Sequence, residues 1–203
     1  MAMNYQIVLA TNNAHKLQEV RQILSPFGIE VFSLNDLNLH PEEVEENAPD
    51  YKGNALIKAK SVQKLTNLPI IADDSGLEVE AMDNKPGIHS ARYASECGGH
   101  SNAINNILQV VSKAGNRKAR FVCDIIALNI EIEPLLFEGI APGQIADSPY
   151  GEGGFGYDPI FVPEESNKTF AELPQEIKNK LSHRGRALHK LIEYLIDKKL
   201  IRR

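Results

Sequence analysis

Ile7-Val8-Leu9-Ala10 is a short run without a polar residue, and the polar break Thr11-Asn12-Asn13 follows it at once. A strand that is apolar on both faces must be covered on both faces, as in a parallel sheet flanked by helices. Leu17, Val20 and Leu24 then recur at spacings of three and four, the period of an amphipathic helix. Pro26 and Gly28 close that helix, and Val31-Phe32 begins a second short strand. This opening constrains the chain to the class in which strands and helices alternate.

The rest of the order agrees. A helix is expected over residues 52–65, with Ala55, Leu56, Ala59 and Val62 on one side. Ile70-Ile71-Ala72 reads as a strand running straight into Asp73-Asp74-Ser75-Gly76. A third helix fits residues 102–113, where Ile104, Ile107, Leu108 and Val111 share a face. Residues 119–130 form a long β-type run, 131–134 a turn, and Leu135-Leu136-Phe137 a return strand, which together predict an antiparallel hairpin. After a glycine-rich loop and the strand Ile160-Phe161-Val162, Pro174 opens a helical region whose last stripe is Leu188, Leu191, Ile192 and Leu195. The expected fold is mixed α/β, a twisted sheet with flanking helices. Residues 1–203 read as a single domain with a hairpin-containing second lobe around 119–140.

Composition narrows the function. A net charge of −5 argues against a coat for long nucleic acid, whose affinity comes from excess Lys and Arg. Cys97 and Cys123 are too few for a disulfide framework or a four-thiolate zinc site, so two reduced thiols are expected. The opening Met-Ala-Met-Asn-Tyr-Gln lacks the basic and apolar segments of a secretory leader. No run approaches the ~20 apolar residues that span a bilayer. A cytoplasmic protein without a membrane partner is the expectation.

Five features carry chemistry. Residues 11–16 join a strand end to a helix start, where α/β folds place ligands and where unpaired N–H groups suit phosphate. Thr11 and Asn13 add polar side chains and Lys16 adds a point charge, although the same residues make an ordinary helix cap. No Gly-Lys-Ser/Thr follows, so this is not a P-loop. Asp73-Asp74 at the end of an apolar strand is either a divalent-cation site or a polar turn. Residues 35–50 hold Asp36, Glu42, Glu43, Glu45, Glu46 and Asp50 and no Lys or Arg, a solvated loop or a further source of carboxylate. Gly153-Gly154-Phe155-Gly156-Tyr157-Asp158-Pro159 brings backbone close to a ligand, with Phe155 or Tyr157 either stacked on a planar base or folded into the core. Finally, Lys178, Ser182-His183-Arg184 and Arg186 form a cationic group, and residues 178–203 carry nine Lys/Arg against two acids. Phosphate donors, a metal site, a stacking loop and a cationic wall together suit a nucleoside triphosphate.

Four ordered blocks resemble the inosine triphosphate pyrophosphatase, or Ham1-like, family over about residues 7–195. They are Ala10-Thr11-Asn12-Asn13 with Lys16 and Glu19; Ala72-Asp73-Asp74-Ser75-Gly76-Leu77; Pro86-Gly87 through Ser90-Ala91-Arg92-Tyr93; and Gly154-Phe155-Gly156-Tyr157-Asp158-Pro159 with Lys178 and Ser182-His183-Arg184. The resemblance implies an elongated, two-lobed α/β fold with a central cleft and a homodimeric arrangement. It implies Mg²⁺-dependent hydrolysis of ITP, dITP or XTP to the monophosphate and pyrophosphate. By position, Thr11, Asn13 and Lys16 would hold the triphosphate, with Asn12, Ala14 and His15 completing the loop. Lys16 would also stabilise the leaving charge. Asp74 would be the general base and a metal carboxylate, Glu45 the second metal carboxylate, and Ser75 a nucleotide contact. Phe155, Gly156, Tyr157 and Asp158 would line the base and sugar pocket. Lys178, His183 and Arg184 would read the purine, because hypoxanthine and xanthine offer an acceptor oxygen at C6 where adenine offers a donor amine. Three positions depart from the family pattern: Asn12 stands for a usual Gly, Gly53 for a common Glu, and His89 for a common Tyr. The alternative reading is a catalytically silent purine nucleotide-binding module.

Overall fold

The computed structural model describes residues 5–202. Residues 1–4, read above for a leader, and Arg203, counted above in the cationic 178–203 segment, lie outside the described residues. Strand β1 (Tyr5–Leu9) lies parallel between β2 (Ile29–Phe32) and β3 (Ile70–Val79), with Ile7 opposite Val31 and Val8 opposite Ile70. Ile7, Val8 and Leu9 are fully buried, as an apolar parallel strand requires. Helix α1 (Ala14–Leu24) starts at Asn13 and buries Val20, Ile23 and Leu24. Helix α2 (Tyr51–Gln63) is capped by Asp50, whose side chain accepts the Gly53 N–H.

The remaining strands are β4 (Lys85–Pro86), β5 (Lys118–Leu128), β6 (Leu135–Ile145) and β7 (Phe161–Pro163). The sheet runs β2-β1-β3-β5-β6-β7, with β4 paired antiparallel to β3. The expected hairpin is β5 and β6, neighbours joined through residues 129–134; β7 runs antiparallel to β6. The other helices are α3 (Ser90–Glu96), α4 (His100–Ala114), α5 (Gln175–Leu181) and α6 (His183–Asp197). The mixed sheet with flanking helices is the expected α/β class.

Two compact units share this chain. One holds residues 5–74, 124–138 and 187–202, with a core of Val8, Ala55, Ala59, Val62, Ile70, Ala72, Ile126 and Leu128. The other holds residues 75–123 and 139–186, with a core built on Leu77, Val79, Ile104, Ile107, Val111, Phe121, Phe161 and Phe170. Phe121 and Phe161 meet edge to face with centroids 4.8 Å apart. The division passes through the hairpin: residues 124–138 belong to the first unit and its two ends to the second.

Two local readings are corrected, and one short helix is added. The β3 strand continues past Ala72 to Val79, so Asp73 and Asp74 lie inside a strand and make no turn. The last helical region is broken at Ser182, whose extended backbone (ψ 154°) separates α5 from α6 while its Oγ accepts the Gly185 N–H. Helix α3 is too short, at seven residues, to have shown a period. Neither Cys97 nor Cys123 is in a disulfide. No described helix is long and apolar enough to cross a membrane.

The continuation of β3 depends on Gly76. A Cβ there would come within 2.0 Å of the Gly87 carbonyl oxygen and 2.8 Å of Ser90 Oγ. Gly76→Ala is therefore expected to destabilise the fold by about 1–3 kcal/mol, read as a lower urea midpoint at unchanged slope.

Candidate active site

Successive residues on a strand point to opposite faces, so Asp73 and Asp74 face different surroundings. Both are nearly buried, at 3% and 7% exposure. A buried carboxylate is tolerated only when it is paired. Asp73 Oδ2 lies 3.0 Å from Lys16 Nζ, in the first turn of α1. Asp74 Oδ1 accepts Lys58 Nζ at 3.1 Å, and its Oδ2 accepts Asn54 Nδ2 at 3.2 Å. Asn54 and Lys58 are four residues apart on α2, and so on one face. Burial pushes the Asp74 pKa up; Lys58, Lys16 and Asn54 pull it back only in part, and it stays above the usual carboxylate value. Burial works against the Lys58 charge, but Asp74, Asp73 and Glu46 outweigh it and hold that lysine above its ordinary pKa.

The acidic loop reaches this cluster through Glu46, whose Oε2 accepts Lys58 Nζ at 2.7 Å. Glu45, expected there, is exposed to solvent: with Glu46 turned towards Lys58, its neighbour faces outward. Asn54 Oδ1 accepts the Ala48 N–H at 3.0 Å, so one amide ties the loop to Asp74. Gly53 makes this docking feasible, since a Cβ there would lie 2.5 Å from Ala48 Cβ and 2.9 Å from Asp50 Oδ1. The Gly53 departure therefore has a packing reason.

In the first loop, Thr11 Oγ1 accepts the Asn13 N–H at 3.2 Å, and Asn13 Oδ1 accepts the N–H groups of His15 (2.9 Å) and Lys16 (3.2 Å). The capping reading of Thr11 and Asn13 is thus realised in this structure. Asn12, Asn13, Ala14 and His15 are exposed. Among the described residues, positive φ at non-glycine positions occurs at Asn38, Asp83, Asn84, Asn129 and Lys199. Asn12 is not one of them, so it replaces glycine without left-handed strain.

The second unit holds its own constellation. Asp158, 4% exposed, accepts both Lys178 Nζ at 2.6 Å and the Phe155 N–H at 2.7 Å on Oδ2. The Lys178 ammonium lies 5.1 Å and the Arg184 guanidinium 5.8 Å from the Phe155 ring centroid, both within cation–π reach. Arg184 Nη2 donates to Ser75 Oγ at 3.1 Å. The His183 ring stacks on Phe121 at 4.5 Å and 8°. The two loop aromatics separate in role. Tyr157 is buried, donates to the Ser90 carbonyl at 2.9 Å and meets His100 edge-on, so it is a core residue rather than a stacking surface. Burial raises its pKa. Phe155 and Gly156 stay half-buried. His89 has Arg92 Nη1 at 3.4 Å from its Nδ1.

The expected residues thus fall into two groups. Thr11, Asn13, Lys16 and Asp74 belong to the first unit, and Ser75, Phe155, Asp158, Lys178, His183 and Arg184 to the second. The chain passes from one group to the other at the Asp74–Ser75 peptide. Sequence reasoning missed Asn54 and Lys58, and held Glu46 only as one acid of the 35–50 loop. Their signal is faint: two polar residues one turn apart, alternating with Ala55 and Ala59 on a buried face.

Comparison with known proteins decides the family. Residues 7–194 match the Ham1 family. The chain belongs to the Ham1 family. It is 44% identical to a dITP/XTP pyrophosphatase of Flavobacterium johnsoniae, covering 94% of this chain and 97% of that one. It is 44% identical to a dITP/XTP pyrophosphatase of Bacillus anthracis, covering 93% and 95%. Among solved structures it resembles the Staphylococcus aureus Ham1 protein with a TM-score of 0.81 and 39% identity, covering 95% of this chain and 99% of that one. A HAM1 protein from Coxiella burnetii also gives 0.81, at 36% identity, covering 95% and 98%.

In this Ham1-family chain the Asp74 carboxylate is balanced between burial and Lys58. Removing that ammonium in Lys58→Met leaves burial less opposed. The Asp74 pKa is expected to rise further, read as an upward shift in the pH titration of its carboxyl ¹³C resonance.

Proposed function

We infer that this protein hydrolyses deaminated purine nucleoside triphosphates (ITP, dITP and XTP) to the monophosphate and pyrophosphate. The observation that carries the reading is Asp74: a buried carboxylate with a raised pKa, held at both oxygens by Lys58 and Asn54, in a chain whose curated relatives are named dITP/XTP pyrophosphatases. The silent-module reading is not favoured, because Asn12 and Gly53, the departures behind it, are both accommodated.

Pyrophosphate leaves intact only if water attacks the α-phosphorus. Asp74 takes the proton from that water, and its raised pKa makes it a stronger base than an exposed aspartate. Lys16 lies in the first turn of α1, where its charge and the helix N-terminus favour an anion. It stabilises the negative charge that moves onto the leaving pyrophosphate. Thr11 and Asn13 shape the loop that receives the phosphates.

The donor set suits Mg²⁺, which accepts one or two carboxylates and completes its shell with water and phosphate oxygen. Asp74 and Glu46 converge on one cationic point, now the Lys58 ammonium, and these two carboxylates would hold the ion. When bound, the ion neutralises triphosphate charge.

Base recognition falls to the second group. Phe155 offers the half-buried aromatic face, fixed through its backbone N–H by Asp158. Arg184 supplies a donor fork beside Ser75. Lys178, expected to read the purine directly, is held by Asp158, so its first task is to anchor the Phe155 loop. A donor-lined site accepts the C6 oxygen of hypoxanthine or xanthine and leaves a donor unmatched against adenine. A homodimer is the arrangement that the family resemblance implies.

The test is a substrate panel of ITP, XTP, ATP and GTP with phosphate and pyrophosphate assayed separately. IMP and pyrophosphate from ITP are expected; IDP and phosphate would refute the reaction. Asp74→Asn should cut kcat by about 10²–10⁴-fold, the usual contribution of a positioned base, in a protein that remains folded by circular dichroism.

A further inference from the structure

Asp124 is a buried carboxylate to which nothing above gives a role. It sits in β5 among Val122, Cys123, Ile125 and Ile126, all buried apolar residues of that strand, and is itself 7% exposed. Its Oδ1 has no hydrogen-bond partner. The Lys52 backbone N–H donates to the carboxylate, and Glu138, Asp50 and Asp74 repel its charge. Burial, joined by these three, pushes its pKa up to about 6. At neutral pH the strand therefore keeps a buried, repelled charge where an apolar side chain would pack at no such cost.

The contact this charge does make is specific. Lys52 is in the first turn of α2, where backbone N–H groups have no partner within the helix. Asp50 takes the Gly53 N–H of the same turn at 2.7 Å. The two carboxylates thus fix the start of the helix that carries Asn54 and Lys58 to Asp74. We propose that Asp124 is a positioning residue for Asp74: by accepting the Lys52 N–H it sets the first turn of α2, and with it the Asn54 and Lys58 contacts on the catalytic carboxylate. This rests on the reading of Asp74 as the base.

Asp124→Leu removes the acceptor; Asp124→Asn keeps an oxygen for Lys52 and removes the charge. Both are made in the full chain and compared with wild type at pH 8. Three quantities are read: steady-state hydrolysis of ITP, thermal stability, and hydrogen exchange of the Lys52 amide. The leucine variant is expected to exchange Lys52 faster and to lose about tenfold in kcat through misplacement of Asp74, with KM held within about twofold. Its melting temperature should equal or exceed that of wild type, because a buried unpaired charge is gone. The asparagine variant should restore slow exchange and bring kcat back to within about threefold of wild type. Wild-type kcat in the leucine variant overturns the proposal. So does loss of activity and stability together, which marks a purely structural role, or an asparagine variant as impaired as the leucine one. Failure of the wild-type protein to release IMP and pyrophosphate would instead refute the pyrophosphatase reading, while Lys52 exchange would still judge the anchoring.

Discussion

Two adjacent aspartates inside a strand, both nearly out of water, are the constraint on which the first unit is built. Their side chains leave the strand in different directions, and each meets its own lysine directly, while each lysine also acts through space on the other aspartate. Lys16 must come from the helix that follows β1, and Lys58 from the helix that precedes β3. Lys58 is itself mostly buried, and Asp74 alone leaves its ammonium with donors to spare. The acidic loop completes it through Glu46. Each element near the site is placed by the charge that the previous one left to be met. The residual imbalance falls on Asp74 as a raised proton affinity, a chemically useful property of a base.

The second unit solves a smaller version of the same problem. Asp158 and Lys178 neutralise each other out of water, and the aspartate uses the same oxygen to hold the Phe155 backbone. A glycine-rich loop that would otherwise be mobile is thereby given a fixed aromatic. Breaking such a pair from one side leaves an uncompensated charge, a large penalty. The rigidity of the Phe155 face is therefore bound to the ion pair beneath it.

Much of this could be read from the chain. Ile7–Ala10 announced a doubly covered strand, the period of Leu17, Val20 and Leu24 announced α1, and residues 119–137 announced the hairpin. The residues with chemistry to offer at Lys16, Asp74, Phe155 and Arg184 were visible as motifs. What escaped was pairing. Asp73-Asp74 looked like a strand end because local preference sends Asp-Ser-Gly into turns; three distant partners keep it extended. Tyr157 and Phe155 are chemically alike at the level of sequence, and it is Tyr157 that finds the Ser90 carbonyl and the His100 ring inside. Glu45 and Glu46 differ by a single step in a loop without periodicity, and Lys58 chooses between them. These choices are made by contacts between residues far apart in the chain, where local pattern carries no signal.

The two units are not strung one after the other. The backbone passes between them at Asp74–Ser75, Cys123–Asp124, Glu138–Gly139 and Arg186–Ala187, and three of these passages lie within strands β3, β5 and β6. Modular proteins change partners by cutting and rejoining at exposed linkers. No single cut does that here. Recombination cannot exchange one unit of this chain and keep the other by a single join. A lineage of such proteins is left with point substitution as its route to a new substrate, and each substitution must be compatible with strands that serve both halves.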